Sequence, residues 1–236
     1  MLASKNDLPK LNIGVLGYGF MGRMRSHALS VIAYTYPKLG VLPVHYAVAG
    51  LGEEQLSQFA SRFGYLYYTT EWRQVIADPQ VDAILVCLPE HLHEEASIAA
   101  LKAGKHVFTE KALALDSLSG HRMLDAAMQS TRIHMVGFNY RFLPAVQFAH
   151  HLIEQGVIGK IYTITGRYFQ ESGHDPQRPA EQVGHAFGPY QLGSARGLGS
   201  HLVDIARFLV GEIVAVSASL HLHPDPPDAG WSGAYC

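Results

Sequence analysis

The stretch IGVLGYGFMG at residues 13–22 decides the fold of this chain. Its first four residues form an apolar run with the composition of a buried strand, and a Gly-x-Gly-x-x-Gly pattern follows directly. Helical spacing then continues at Met21, Met24, Ala28 and Val31. A glycine-rich turn between a strand and a helix is typical of dinucleotide binding, and this context makes the motif more specific than the glycines alone.

Each glycine of the motif has its own steric task. Gly17 permits the tight turn, Gly19 lets a pyrophosphate approach the backbone, and Gly22 lets the helix pack closely on the strand. Unpaired amides at the helix N-terminus then face the phosphates. The alternative is a glycine-rich turn with no ligand. We predict cofactor contacts at Gly17, Tyr18, Gly19, Phe20, Met21 and Gly22.

The predicted cofactor is NAD or NADP. An NAD site usually ends its second strand with an acidic residue that holds the ribose hydroxyls. Here the strand ends at Gly50, and the next charged residues are Glu53 and Glu54, so a 2′-phosphate is permitted but has no obvious partner. Arg23 and Arg25 in the first helix are either phosphate partners or solvated arginines.

Alternating strands and helices predict an α/β fold that begins with a Rossmann doubly wound parallel sheet. One intervening helix has an apolar face at Leu56, Phe59, Ala60 and Phe63. Gly104 stands where a helix ends before the next strand. The predicted strands are residues 13–16, 44–48, 83–87, 106–108 and 134–137.

The regular alternation of predicted strands and helices ends at about Phe138, and we place the domain boundary there. We predict a Rossmann NAD(P)-binding domain at residues 1–138, a truncated substrate and dimerisation domain of partial α/β (α+β) type at residues 139–222, and a loose tail at residues 223–236. The tail contains three prolines, which cannot donate hydrogen bonds to a sheet.

The sequence of the second domain predicts few helices and strands. Pro144 can begin a helix that Gly156 ends, and Ser200 can cap a helix over residues 201–210. Strand composition is found only at residues 161–169 and 213–222. Because two strands are marginal as an independent sheet, we expect this domain to borrow edges from another chain or to continue in residues missing from this one.

Composition excludes several classes of protein. Lys plus Arg number 18 and Asp plus Glu 20, so no basic stripe indicates nucleic acid as a partner. The longest apolar run is far shorter than the roughly 20 residues of a membrane helix, and no signal peptide is evident. Two cysteines suit a reducing compartment, so a cytoplasmic protein is expected. The 14 histidines stand in no CxxC or HExxH pattern, so no metal site is predicted.

Five motifs in order resemble the glucose-fructose oxidoreductase, inositol dehydrogenase and MocA (Gfo/Idh/MocA) family. They are the glycine loop and the segments LPEHLH at 88–93, AGKHVFTEK at 103–111, GFNYRF at 137–142 and GSHLVD at 199–204. The resemblance implies a Rossmann domain followed by an α/β domain with a large open sheet. It also implies NAD(P)-dependent oxidation or reduction of hydroxyl and carbonyl groups of sugars and cyclitols.

The resemblance implies roles for the Glu110-Lys111 pair, which matches the family's Glu-Lys-Pro. In the family the lysine contacts the nicotinamide and the reacting hydroxyl, so Lys111 is implied as a catalytic, cofactor-binding and substrate-binding residue, with Glu110 beside the cofactor. An ammonium in this position stabilises an oxyanion that develops during hydride transfer. Ala112 replaces the family's proline and removes no functional group.

His201 matches the histidine that the family uses as general acid or base, and it is also implied in substrate binding. Asp204 lies three residues on, shares a helical face with His201, and could orient the ring or a substrate hydroxyl. A structural role at the helix terminus is the alternative for Asp204. The family's catalytic aspartate normally lies four residues before the histidine, where this chain has Gly197.

Two further segments border the site in the family. Contacts with the ribose or nicotinamide side of the cofactor are implied for Pro89, Glu90, His91 and His93. The resemblance implies that Asn139, Tyr140 and Arg141 border the substrate pocket, with a packed aromatic ring and a solvated arginine as the alternative.

The leading hypothesis is therefore an NAD(P)-dependent oxidoreductase acting on a sugar or polyol. The alternative is a catalytically inactive or truncated nucleotide-binding protein with a sensor-like role, which the glycine at position 197 and the short second domain favour. The family often pairs second-domain sheets, so a homo-oligomer is also expected.

Overall fold

The computed structural model describes residues 8–169, 195–219, 221–222 and 234–235. The chain divides into two compact units, Met1–Gly137 and Phe138–Cys236. Within the described residues, no helix has both the length and the apolar character needed to cross a membrane.

The first unit is built on one six-stranded sheet in which every neighbouring pair is parallel. The strand order is β3-β2-β1-β4-β5-β6, so the winding direction reverses between β1 and β4, where doubly wound sheets place their ligands. This confirms the predicted fold class. The strands are β1 Lys10–Leu16, β2 Leu42–Ala49, β3 Tyr67–Thr69, β4 Ala83–Val86, β5 His106–Thr109 and β6 His134–Val136.

Five helices accompany this sheet. They are α1 Phe20–Thr35, α2 Glu53–Phe63, α3 Trp72–Ala77, α4 His93–Lys102 and α5 Ser117–Met128, with a 3-10 turn at Glu90–Leu92 before α4. The apolar face predicted for α2 is confirmed, because Leu56, Phe59 and Ala60 are buried. Gly104 has a φ of +73°, as expected for a glycine that follows a helix.

The helix predicted after the glycine loop is confirmed, and its apolar residues lie mostly on the exposed side. Met24 and Val31 are exposed, and the buried residues of α1 are Gly22 and Ser26. Close approach of α1 to the sheet requires small side chains, and the Ser26 hydroxyl is satisfied there by the Gly22 carbonyl at 2.8 Å. Small side chains, not the apolar residues at helical spacing, therefore face the sheet on α1.

The core of the first unit lies on both faces of the sheet. Side chains alternate along the strands, so Leu16 packs into one apolar cluster and Val15 into the other. Helices α3 and α4 contribute to the first cluster and α2 to the second. Burial on both faces explains why the strands are apolar without alternation in sequence. Strand β3 was not predicted from the sequence.

The second unit contains two α-helices among its described residues, α6 Pro144–Glu154 and α7 Ser200–Val210. A 3-10 turn at Asn139–Phe142 precedes α6, and a π-helical turn at Ala195–Gly199 precedes α7. The helix start at Pro144 is confirmed. The capping role predicted for Ser200 is wrong, because α7 begins at Ser200 itself and Gly199 takes the cap position.

The two strands predicted in the second unit are largely wrong. Residues 161–169 and 213–219 do not form strands, and the strands in the described part of this unit are β7 His221–Leu222 and β8 Ala234–Tyr235, which pair antiparallel. A strand needs a hydrogen-bonding neighbour, and the described residues provide none for these two segments. Val214, in the second segment, is 99% exposed. Most of the predicted tail, residues 223–233 and 236, lies outside the described residues.

Candidate active site

The glycine loop connects β1 with α1 and leaves space at one of its three glycines. A Cβ on Gly17 would lie 2.4 Å from the Cys87 carbonyl oxygen, and a Cβ on Gly22 would lie 2.1 Å from the Gly17 oxygen. Gly17 also has a φ of +91°. A Cβ on Gly19 would meet nothing within 4 Å. The loop is thus closely packed on the protein side and open at Gly19.

The N-terminus of α1 can hold a phosphate. Gly19 is the cap residue, and the first turn of α1 contains no acidic residue. The first amides of a helix have no partner within the helix, and the helix dipole favours an anion at this end. A dinucleotide pyrophosphate fits this arrangement, because its oxygens would accept hydrogen bonds where the missing Gly19 side chain leaves room.

Tyr18 covers the end of β2. Its hydroxyl donates a hydrogen bond to the Leu51 carbonyl at 2.5 Å, and the centroids of its ring and the Phe59 ring are 5.4 Å apart. A Cβ on Gly50 would lie 2.3 Å from the Tyr18 ring, so the glycine at the end of this strand is required by the tyrosine. No carboxylate therefore stands at residue 50, where it would repel a 2′-phosphate.

The loop after β4 separates the four residues that the resemblance placed beside the cofactor. Pro89 and His91 are exposed and Glu90 is half-buried. His93 is 1% exposed, so its expected contact with the cofactor is not supported. Both of its ring nitrogens lie against backbone carbonyls, Nε2 at 2.9 Å from Leu88 and Nδ1 at 3.0 Å from Ala112.

His93 thus connects the loop after β4 with the segment that follows Lys111. Burial lowers the pKa of His93 below its ordinary value, although the hydrogen bonds to the Leu88 and Ala112 carbonyls act in the opposite direction. The sequence contained no signal for this double contact.

Glu110 and Lys111 follow directly after β5, at the same edge of the parallel sheet as the glycine loop. Glu110 is buried and pairs with Arg25 of α1. Lys111 is half-buried, and the peptide bond between Lys111 and Ala112 is cis. Burial lowers the pKa of the Lys111 ammonium, and the carboxylates of Glu110 and Glu90 oppose that shift.

Arg25 is not placed in either of the two roles that the sequence suggested, a phosphate partner or a solvated arginine. The arginine is neither free in solvent nor available to a phosphate, because its guanidinium pairs with Glu110 and lies 4.5 Å from the centroid of the Phe108 ring. The two residues are 85 positions apart. Local sequence patterns could not reveal such a contact.

In the second unit, His201 lies in the first turn of α7 among aromatic rings. The Tyr140 ring stacks on the His201 ring with centroids 4.2 Å apart and an interplanar angle of 20°. The Phe138 ring meets it edge-on at 5.9 Å. The hydroxyls of Tyr140 and Tyr168 are hydrogen-bonded at 2.5 Å. Sequence reasoning missed the contributions of Phe138 and Tyr168.

Asp204 pairs with Arg141. The Arg141 Nε donates to Oδ2 of Asp204 at 3.0 Å, and Nη2 donates to Oδ1, so the contact has two points. Asp204 is buried, and the Arg141 guanidinium lies 5.2 Å from the Phe208 ring centroid. The ion pair gives Arg141 a carboxylate partner instead of a solvated position.

Among the described residues, no group of three or more His, Cys, Asp and Glu side chains could hold a metal ion.

Comparison with known families identifies the first unit. Residues 11–138 match a family described as "Oxidoreductase family, NAD-binding Rossmann fold". Together with the sheet order and the glycine loop, this match defines the unit as an NAD-binding Rossmann domain. Residues 146–232 match the "GFO/IDH/MocA C-terminal domain". The chain belongs to the Gfo/Idh/MocA oxidoreductase family.

Two similar curated proteins are dehydrogenases. The chain is 38% identical over 215 residues to levoglucosan dehydrogenase of Pseudarthrobacter phenanthrenivorans, covering 90% of this chain and 54% of that protein. It is 31% identical over 206 residues to myo-inositol 2-dehydrogenase of Thermotoga maritima, covering 86% and 56%. The chain thus spans about half the length of the curated relatives that it matches.

Solved structures give the same result. Levoglucosan dehydrogenase in complex with NADH and levoglucosan superposes with a TM-score of 0.81 at 38% identity, covering 86% of this chain and 54% of the other. The apo form of that enzyme gives a TM-score of 0.82 at 37% identity, covering 87% and 53%.

Proposed function

We propose that this protein is an NAD(P)-dependent oxidoreductase that transfers a hydride between the nicotinamide and a hydroxyl or carbonyl carbon of a sugar or cyclitol. The observation that carries the proposal is the placement of Gly19 and Lys111. A loop open to a pyrophosphate and a half-buried ammonium lie at the carboxyl edge of one parallel sheet. The names of the relatives, which act on levoglucosan and myo-inositol, support the substrate class.

The cofactor would be held by the glycine loop and the first turn of α1, and when bound it supplies the hydride or accepts it. Gly17, Tyr18, Gly19, Phe20, Met21 and Gly22 form this part of the proposed site, with Pro89, Glu90 and His91 from the loop after β4 and Glu110 and Lys111 after β5.

Lys111 would polarise the reacting oxygen. Its ammonium stabilises negative charge that develops on an alkoxide, and the half-buried position strengthens this effect because water screens it less. The neighbouring carboxylates of Glu110 and Glu90 favour the charged form of the amine, which this role needs.

His201 would transfer the proton of the hydroxyl. An imidazole has an ordinary pKa of about 6.5, so it can accept and return a proton near neutral pH. The stacked Tyr140 ring restricts the orientation of the His201 ring. Tyr140 and Arg141 would border the substrate, and Arg141 is fixed by Asp204.

Substitution of Lys111 tests the proposal. We expect Lys111→Met to lower turnover of the preferred polyol about 100- to 1000-fold, which is the usual cost of removing one group that stabilises an oxyanion. Affinity for NADH, followed by its fluorescence, should change less than about twofold because Lys111 does not hold the pyrophosphate. Lys102→Met, on the exposed end of α4, is the matched control and should leave both values unchanged. Unchanged turnover in Lys111→Met contradicts the proposed mechanism.

A second candidate is a nucleotide-binding protein without catalysis. Gly197 at the position of the family's aspartate favours it, as does the absence of strands at 161–169 and 213–219. A screen of sugars and polyols with NAD and NADP, monitored by absorbance, separates the two candidates. Cofactor binding without turnover on any substrate supports the second candidate, and turnover of a single polyol contradicts it.

A further inference from the structure

Arg25 and Glu110 form an ion pair in which the carboxylate is buried. Nε and Nη2 of Arg25 both lie 2.6 Å from Oε1 of Glu110. Glu110 is 4% exposed, and the Phe108 ring lies beneath the guanidinium at 4.5 Å. A buried carboxylate is costly unless a charged partner satisfies it, and arginine is suited to this because it stays charged and presents several donors.

The backbone directly after β6 closes the other side of this pair. The Gly137 amide donates to the Thr109 carbonyl at 2.8 Å. A Cβ on Gly137 would lie 3.0 Å both from Oε2 of Glu110 and from the Phe108 ring. The Glu110 carboxylate is therefore enclosed between Arg25, Phe108 and the Gly137 backbone, and it has little freedom to move.

The pair joins two parts of the proposed site. Arg25 lies in the second turn of α1, the helix whose N-terminus faces the glycine loop. Glu110 immediately precedes Lys111, and its own amide donates to the Val86 carbonyl of β4 at 3.0 Å. Because the Glu110 carboxylate favours the charged form of the Lys111 amine, a displacement of this carboxylate would change the charge beside Lys111.

We propose that Arg25 is a positioning residue: by holding Glu110 in its enclosed place, it sets the position and the reactivity of the Lys111 amine. The inference rests on the proposed function, because it gives Arg25 a purpose through the lysine of that site. It assigns Arg25 no contact with substrate or cofactor.

The electrostatic surroundings of Lys111 agree with this role. Within the described part of the chain, the carboxylates of Glu110 and Glu90 act on the amine, and both favour its charged form. Glu110 also acts on His93 and Cys87, and Arg25 acts on Cys87. Arg25 thus influences Lys111 mainly through the carboxylate that it fixes.

The test measures the Lys111 amine directly and needs neither cofactor nor turnover. Trace acetylation of the protein with acetic anhydride between pH 6 and 11, followed by mass spectrometry of the peptide that contains Lys111, yields the rate constant and the apparent pKa of this one amine. Wild type, Arg25→Gln, Glu110→Gln and the double variant form a double-mutant cycle.

We expect Arg25→Gln to change the acetylation rate of Lys111 at least threefold in the wild-type background and less than 1.5-fold in the Glu110→Gln background. We also expect Glu110→Gln alone to lower the apparent pKa of Lys111, because one of the two favourable carboxylates is neutralised. Equal changes in both backgrounds, or no change in either, would overturn the proposal.

Two further variants serve as controls for effects of misfolding. Arg25→Lys keeps the charge and loses the forked geometry, so we expect a change between those of wild type and Arg25→Gln; a rate equal to that of Arg25→Gln would contradict positioning by a salt bridge. Arg132→Gln, an exposed arginine of the same unit, should leave the Lys111 rate unchanged. If Arg25→Gln does not fold, the same cycle is run with Arg25→Lys.

The labelling readout does not depend on turnover, so failure of this inference and failure of the proposed function can be distinguished. Absence of turnover in wild type would refute the reaction while leaving the labelling cycle interpretable. An additive cycle, with a normal loss of turnover in Lys111→Met, would refute only the role of Arg25.

Discussion

The two units of this protein bury different kinds of side chain. All buried apolar side chains among the described residues lie in the first unit, whereas the buried side chains of the second unit are His201 and Asp204. The first unit is therefore held together by an apolar core on both faces of a sheet. The described part of the second unit is organised around ring stacking and an ion pair.

The two halves of the proposed site are therefore held in place by different kinds of surroundings. The glycine loop and Lys111 lie at the edge of a complete sheet, so a closely packed scaffold positions them. His201 lies on a helix beside segments whose apolar residues, such as Val214, are exposed. Substitutions should therefore change the stability of the first unit through packing and the stability of the second unit through specific polar contacts.

The largest expected effect is the loss of a core side chain in the first unit. Leu56 is completely buried, so Leu56→Ala should lower the free energy of unfolding by about 3 kcal/mol. The matched substitution Val214→Ala removes an exposed side chain and should cost less than about 0.5 kcal/mol. Hydrogen exchange of peptides from each unit measures both values. Similar costs for the two variants would remove the contrast between the units.

A smaller effect is expected for the ion pair of the second unit. Arg141→Ala leaves the buried carboxylate of Asp204 without its partner, and we expect a cost of about 2 kcal/mol because Arg141 itself is partly exposed. The double variant Arg141→Ala/Asp204→Ala should cost less than the sum of the single variants, as measured by hydrogen exchange of α7. Additive costs would show that the pair does not stabilise the unit.

The smallest effect is the pH dependence contributed by His93. Because the folded-state pKa of His93 is lowered, its contribution to stability is present above the unfolded value of about 6.5 and is lost as the pH falls toward the folded value. We therefore expect His93→Gln to flatten the decline of unfolding free energy between pH 7 and pH 5, measured by urea denaturation. His45, whose pKa is also lowered by burial, remains in the variant and contributes equally to both curves. An unchanged slope would mean that His93 does not titrate in this range.

The sequence predicted what depends on local patterns. The strands around the glycine loop, the apolar face of α2 and the helix start at Pro144 each follow from composition or spacing within a few residues. The contacts that it missed join distant positions, such as Arg25 with Glu110 and His93 with Ala112. The predicted strands of the second unit were largely wrong because a strand exists only when another segment pairs with it.

The central claim is that a dinucleotide pyrophosphate binds against the backbone at Gly19. Calorimetric titration with NADH of wild type and Gly19→Ala tests it most directly, because a Cβ at Gly19 meets no protein atom within 4 Å and so should not disturb the fold. Gly120→Ala, at another open glycine in α5, is the matched control. We predict saturable binding for wild type and Gly120→Ala, and affinity at least tenfold lower for Gly19→Ala with an unchanged circular dichroism spectrum. Flat heats for folded wild type, or equal affinities for all three proteins, would contradict the account.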